Sequence, residues 1–155
     1  MSGAGFQYSR NARAGELAEL AREISPMEAA QLPPGLSGGA LAAAFAALAA
    51  GTRTYTVRLG GRLCGVCFVE DLPDRRLMSF TKTRFLASER RVTFARGIGR
   101  LLRDLAAAER EAGRDARPMY MHVPEGDFRS MAWFARAGCV PEGGWLRCPG
   151  ADRGI

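Results

Sequence analysis

Two short extended segments joined by Gly60-Gly61 constrain the fold of this 155-residue chain more than any other feature. Thr54–Leu59 alternates in polarity and is rich in residues that favour strands, and Leu63–Val69 is predicted to be the returning strand. A glycine pair between two such runs predicts a tight hairpin, because glycine readily adopts the positive φ that these turns need. The chain therefore contains antiparallel sheet, which excludes a plain helical bundle.

In the rest of the chain, apolar residues recur at the spacing of helices in some segments and at the spacing of strands in others. The predicted elements outside the hairpin are a strand at Phe6–Ser9, a helix carrying Leu17, Leu20 and Ile24, a helix at Ala40–Ala50, a strand at Arg76–Thr83, a helix at Ser88–Ala112, a strand at Met119–Val123, a helix at Asp127–Ala137 and a last hairpin at Cys139–Cys148. This order predicts one α/β (α+β) domain over residues 1–148, with a mixed, mostly antiparallel sheet and about four helices. Residues 149–155 are predicted to be a flexible tail.

Composition and charge restrict the classes of function. No run approaches the roughly 20 apolar residues of a membrane span, and the first residues lack the pattern of a secretory signal. The net charge of +6 favours anionic partners, such as a cofactor with phosphates. Nucleic acid is disfavoured, because the basic residues neither cluster nor alternate with aromatic ones. We therefore expect a cytoplasmic protein with no membrane partner.

Cysteine spacing raises the question of a metal site. Cys64 and Cys67 form a CxxC, but they fall on a predicted strand, where residues three apart point to opposite faces. There is no second CxxC, and His122 is the only histidine. The sequence therefore predicts no metal site and four thiols in a reducing compartment.

Three segments resemble the GNAT acetyltransferases. They are the hairpin Tyr55–Val66, the glycine-containing segment Phe94–Leu102, and Asp127–Gly138, which is similar to a helix that begins with Asn in that family. The order of the predicted elements resembles that fold over nearly the whole chain, and these three segments occur in the family's order. The resemblance implies the GNAT fold, acetyl-CoA as cofactor, and transfer of its acetyl group to an amine acceptor that the sequence does not identify.

The second segment carries the implied cofactor site. A glycine turn that opens a helix exposes backbone amides that can hold a diphosphate, and nearby arginines can add ionic contacts. The residues implied to bind the cofactor are Arg96, Gly97, Ile98, Gly99, Arg100 and Asp127. An alternative stays open, because apolar residues recur without interruption from Val92 to Leu105. One continuous helix would enclose both glycines, engage their amides and make them a helix-packing contact.

Four side chains are candidates for the acid–base chemistry of acetyl transfer. They are Glu70 as a base at the end of the second hairpin strand, Tyr120 and His122 as acid or base on one face of a strand, and Ser130 as a donor to the thiol. Each also has an ordinary structural role available, as a solvated strand end, a packed strand residue or a helix-surface hydroxyl. The position that often carries the family's tyrosine acid is Phe134, which cannot donate a proton.

A narrower resemblance points away from catalysis. Leu20–Ala30, Arg84–Arg91 and Phe134 are similar to GNAT-like phage and prophage proteins of the internal virion type. This resemblance implies a non-catalytic virion structural or assembly protein that keeps the fold. Its partners would be a viral structural protein or further copies of the chain, and its location would be the virion.

Overall fold

A computed structural model describes residues 5–88, 91–112, 117–123 and 126–149 of the chain. The helices are α1 (Ala14–Glu23), α2 (Pro26–Ala29), α3 (Gly38–Ala50), α4 (Arg84–Ser88), α5 (Arg91–Glu111) and α6 (Phe128–Arg136). The strands are β1 (Phe6–Arg10), β2 (Arg53–Leu59), β3 (Arg62–Asp71), β4 (Arg76–Lys82), β5 (Met119–His122), β6 (Val140–Glu142) and β7 (Trp145–Arg147). Over these residues, no helix combines the length and apolar character that crossing a membrane would require.

The chain divides into two compact units. Unit 1 comprises Met1–Glu70 and Ser79–Arg90, and unit 2 comprises Asp71–Met78 and Arg91–Ile155. Strand β4 contributes its second half to unit 1 and its first half to unit 2. The hydrogen-bonded strand order is β1-β2-β3-β4-β5-β7-β6, so each unit contains four consecutive strands of the order, with β4 common to both.

The predicted Gly60-Gly61 hairpin is the centre of unit 1. Strands β2 and β3 are antiparallel, and both glycines have positive φ, as the tight turn requires. The pairing shifts between Val57 and Arg58, where β3 carries one extra residue. Just beyond this bulge, a Cβ on Gly65 would lie 2.3 Å from the carbonyl oxygen of Thr81, so only glycine fits there.

Helices α1 and α3 cover one face of this sheet. Their apolar side chains form a core with residues of β3: Leu17, Leu20, Leu41, Phe45, Leu63, Val66 and Phe68. The rings of Phe45 and Phe68 stack with centroids 6.1 Å apart. This burial stabilises helices whose own propensity in water would be marginal at 10 and 13 residues.

The end of β4 is joined to α2 by the chain's single lysine. Lys82 Nζ lies 3.7 Å from Glu28 Oε2, and the lysine side chain is only 5% exposed. The Lys82 backbone amide donates to the same Glu28 oxygen at 3.2 Å, and its carbonyl accepts from Ser25 N at 3.0 Å. These contacts fix the one-turn helix α2 against the strand.

Unit 2 is built on α5 and α6. Phe94 of α5 contacts Trp133 and Phe134 of α6 edge to face, with ring centroids 5.3 and 6.2 Å away. In the sheet, β7 pairs antiparallel with both β5 and β6. The buried side chains of β5, Met119 and Met121, lie on one face of this strand.

A buried ionic cluster joins three segments of unit 2. Glu109 of α5 forms ion pairs with Arg76 of β4, at 3.9 Å, and with Arg117. Arg76 also donates to the Leu105 carbonyl at 3.4 Å, and Arg117 forms a second ion pair with Asp71 at 3.0 Å. Hydrogen bonding to Glu109 raises the pKa of Arg117 above its ordinary value, so the guanidinium stays charged.

The predicted α+β fold with a mostly antiparallel sheet is confirmed, although the helix count of about four was low. Helices α2 and α4 have four and five residues, too few to show a helical period in sequence. The long helix was expected from Ser88, but helical structure is already present at Arg84–Ser88; α5 covers Arg91–Glu111, and residues 89 and 90 lie outside the described residues. The predicted tail lies outside the described residues except for Pro149.

Candidate functional site

The glycine segment lies inside α5 instead of opening it. Helix α5 covers Arg91–Glu111, so more than one helical turn precedes residues 97–100. Beyond the first turn of an α-helix, each amide donates to the carbonyl four residues earlier. The amides of Gly97, Ile98, Gly99 and Arg100 are therefore engaged, and the expected diphosphate site at these residues does not fit. The continuous-helix alternative is what the structure shows.

Gly99 of α5 lies beside the end of α6. A Cβ on Gly99 would lie 3.5 Å from Arg103 Nη1 and 3.7 Å from Ala137 Cα, both ordinary van der Waals distances. Ile98 is buried, whereas Arg96 and Arg100 are exposed on the outer side of the helix. A Cβ would therefore fit at Gly99, and the two arginines lie where a soluble anion could reach them.

Asp127 and Ser130 form the amino-terminal cap of α6. Asp127 Oδ1 accepts from the Ser130 backbone amide at 3.1 Å, and its Oδ2 accepts from the Ser130 hydroxyl at 2.7 Å. Both side chains are buried. The expected capping role of Asp127 is confirmed. Because the Ser130 hydroxyl proton is directed to this carboxylate, the geometry gives Ser130 a structural role.

The expected shared face of Tyr120 and His122 is present on β5. Both side chains lie opposite the buried Met119 and Met121. The Tyr120 hydroxyl donates to Glu142 Oε2 at 2.9 Å, and the His122 ring contacts the Trp145 ring edge to face at 5.6 Å. Strands β6 and β7 therefore bring a carboxylate and an indole to the two residues that the sequence singled out.

A cavity of about 220 Å³ opens on this face of unit 2. Its lining residues come from β4, β5, β6, β7 and the approach to β4, and they are Arg75, Leu77, Tyr120, Glu142 and Trp145. The hydrogen bond to Glu142 raises the pKa of Tyr120 above its ordinary value, so the phenol stays protonated near neutral pH. Arg147 Nη1 lies 3.6 Å from Glu142 Oε1 and balances that charge.

Sequence reasoning missed Glu142, Trp145 and Arg75. The signal available was Gly143-Gly144, since a two-residue loop makes Glu142 and Trp145 direct cross-strand partners. Which strand this last hairpin pairs with could not be read from its sequence, because cross-strand neighbours are set by tertiary packing. Contact between the hairpin and Tyr120 was therefore beyond prediction.

Glu70 lies in unit 1, near the end of β3, and its side chain is exposed. Cys64 and Cys67 are buried in the same strand, and burial raises the pKa of the Cys67 thiol far above its ordinary value.

Within the described ranges, no group of three or more His, Cys, Asp or Glu side chains could hold a metal ion.

The architecture of the chain is that of the GNAT acetyltransferases. A crystal structure of a proposed acetyltransferase matches 90% of this chain and 74% of its own, with 17% identity and a TM-score of 0.66. The PaiA N-acetyltransferase of Thermoplasma acidophilum, in complex with coenzyme A, matches 91% of this chain and 96% of its own, at 10% identity and TM-score 0.56. A proposed acetyltransferase of the GNAT family from Desulfovibrio desulfuricans matches 92% and 95%, at 13% identity and TM-score 0.54.

At these identities the comparisons show the fold alone. No protein-family model matches the sequence, and no curated protein sequence matches it either.

Proposed function

We propose that this chain is an N-acetyltransferase that binds acetyl-CoA and transfers its acetyl group to an amine. The observation that carries the proposal is the extent of the fold match, 90% of the chain at a TM-score of 0.66 to a proposed acetyltransferase. The PaiA N-acetyltransferase, whose structure contains coenzyme A, has the same architecture over 91% of the chain. Acetyl-CoA would supply an activated thioester, and the protein would position it and move protons.

The diphosphate of the cofactor would bind away from the backbone of Gly97–Arg100, whose amides are engaged within α5. Arg96 and Arg100, exposed on α5, would contribute charge. Ile98, Gly99 and Asp127 would act indirectly, by keeping α5 and α6 in place.

Proton transfer would use Tyr120, with His122 and Glu70 as the remaining candidates. When an amine attacks the thioester, the amine loses a proton and the departing thiolate gains one. The Tyr120 phenol lines the cavity and stays protonated, and it would pass its proton to the thiolate once its hydroxyl turns away from Glu142, whose hydrogen bond otherwise makes it a weaker acid. Glu70 and His122, which are exposed, would accept the amine proton directly or through water.

Ligand-dependent melting and acetyl transfer test this proposal. Acetyl-CoA at 100 times its dissociation constant should stabilise the protein by about 2.7 kcal/mol. Pantetheine, which lacks the diphosphate, should shift the melting temperature less. Release of free thiol should depend on an added amine panel. Tyr120→Phe should lower kcat at least tenfold while acetyl-CoA still raises the melting temperature. Absence of both a melting shift and thiol release would refute the proposal.

A second candidate is favoured by two observations. The glycine segment lies inside α5, and Phe134 occupies the position often held by the family's tyrosine acid, packed against Phe94. Both suit a GNAT-fold protein without turnover, such as a structural or assembly protein of a phage or prophage that binds a viral partner or itself. This candidate gives no melting shift with acetyl-CoA and gives concentration-dependent assembly in sedimentation.

A further inference from the structure

The β6–β7 hairpin brings two cysteines opposite each other. Its register pairs are Glu142 with Trp145, Pro141 with Leu146, and Val140 with Arg147. Continued by one step beyond the strands, the same register places Cys139 opposite Cys148. Both are thiols in the structure.

Backbone hydrogen bonds identify the kind of pair that these cysteines form. The Cys139 amide donates to the carbonyl of Phe134 at 2.9 Å, and the Cys148 amide donates to that of Met119 at 2.8 Å. Both amides therefore point away from the opposing cysteine. That is the pattern of a non-hydrogen-bonded antiparallel pair, in which the two Cα atoms lie about 4.5 Å apart.

The two segments stay adjacent beyond the cysteines. A Cβ on Gly138 would lie 3.5 Å from Pro149 Cγ, so the next residues outward are also in contact. Cys148 shares its face of β7 with the buried Leu146, two residues earlier. Cys139 and Cys148 are 3% and 6% exposed, so both side chains turn to the buried side of the hairpin.

We propose that Cys139 and Cys148 form a reversible intramolecular disulfide, an oxidative modification site of this protein. A disulfide requires Cα atoms about 4.4–6.8 Å apart, which a non-hydrogen-bonded pair provides with little backbone movement. With hydrogen peroxide as oxidant, two S–H bonds break, one S–S bond forms, and the peroxide is reduced to two waters. A thiol reductant reverses the reaction by exchange.

The bridge would fix the hairpin that carries one wall of the cavity. Glu142 and Trp145 lie between the two cysteines in sequence and line the space beside Tyr120. Oxidation therefore stiffens the side of the cavity that holds the Tyr120 hydroxyl, independently of what the cavity binds.

Peptide mapping of the full chain tests the proposal. After treatment with stoichiometric hydrogen peroxide and alkylation, trypsin should yield residues 137–147 joined to residues 148–153, with a loss of two hydrogens. Dithiothreitol should separate them. The oxidised protein should melt on the order of 5 °C higher than the reduced protein, because the bridge closes a loop in the unfolded chain.

Single-cysteine variants distinguish the Cys139–Cys148 disulfide from other oxidation products. Cys139→Ala and Cys148→Ala should each abolish the joined peptides and the melting shift, whereas Cys67→Ala, at a buried thiol of unit 1, should retain both. Mapping of the unsubstituted chain needs no variant, so a variant that fails to fold leaves the test intact. Full alkylation of both thiols after oxidation, a bridge that uses another cysteine, or a bridge between two chains would overturn the proposal.

Discussion

At the scale of single residues, a substitution at Gly99 tests whether this glycine opens a helix or lies within one. Because Gly99 lies within α5 with room for a Cβ, Gly99→Ala should stabilise the protein by about 0.5–1 kcal/mol, a rise of roughly 1–4 °C in melting temperature. Gly138→Ala is the control, since φ there is +99° and alanine should destabilise by about 1 kcal/mol. Differential scanning calorimetry measures both, and a destabilised Gly99→Ala would contradict the helical placement.

Residue identities predicted local roles well and distant partners poorly. Asp127 was expected to cap α6, and its Oδ1 does so by accepting from the Ser130 amide, while its Oδ2 accepts from the Ser130 hydroxyl. Tyr120 and His122 were expected on one face of a strand, because alternation follows from backbone geometry alone. Their partners Glu142 and Trp145 are more than 20 residues away in sequence, and only the pairing of β5 with β7 brings them together.

At the scale of elements, a single carboxylate ties α1 to β2. Burial of Glu16 opposes its ionisation, but hydrogen bonds from the Arg13 amide, Arg58 and Thr56 outweigh it and lower the pKa of this carboxyl. A carboxyl with a lower pKa in the folded state stabilises the fold above its ordinary pKa of about 4.3, and this contribution is lost as pH falls through the folded value.

Glu16→Gln should therefore unfold more easily than the unsubstituted chain at pH 7, by about 1 kcal/mol, and the gap should close below pH 4. Glu19→Gln on the same helix is the control and should follow the unsubstituted chain throughout. Thermal melts from pH 7 to pH 3 make the comparison. A gap that stays constant with pH would show that the Glu16 charge contributes nothing.

The ionic cluster of unit 2 ties α5 to β4 and to the segment before β5. Glu109→Gln keeps the shape but removes the charge that faces Arg76 and Arg117, and breaking a buried pair in this way should destabilise by about 3 kcal/mol. Asp71→Asn removes a partner of Arg117 that is 34% exposed and should cost under about 1 kcal/mol. Urea unfolding measures both variants, and equal losses would mean that burial does not decide the effect.

The order of elements was predictable because period and turn residues are local signals. The hairpin at Gly60-Gly61 and the helices α1, α3 and α6 were expected near their observed positions. The long helix was expected over residues 88–112, and the structure has helix at Arg84–Ser88 and Arg91–Glu111, with residues 89 and 90 outside the described part of the chain.

At the scale of the whole molecule, the fold is shared with acetyltransferases while the expected diphosphate site is not formed at Gly97–Arg100. A fold can be kept while its site changes, so the fold match and the residue-level chemistry are separate arguments. The acetyl-CoA melting and thiol-release measurements decide between the two proposed functions. The thiol mapping of Cys139 and Cys148 is independent of that outcome.

The burial of Lys82 has a practical consequence for assays of acetyl transfer. Twenty-two basic side chains include only this one ammonium, and its side chain is 5% exposed beside Glu28. The folded protein accordingly offers almost no lysine to chemical acylation by a reactive thioester, a common source of background signal. An acetylated lysine found by mass spectrometry in a mixture with a peptide acceptor would therefore report on the acceptor, and amine-reactive dyes should leave Lys82 of the folded protein largely unlabelled.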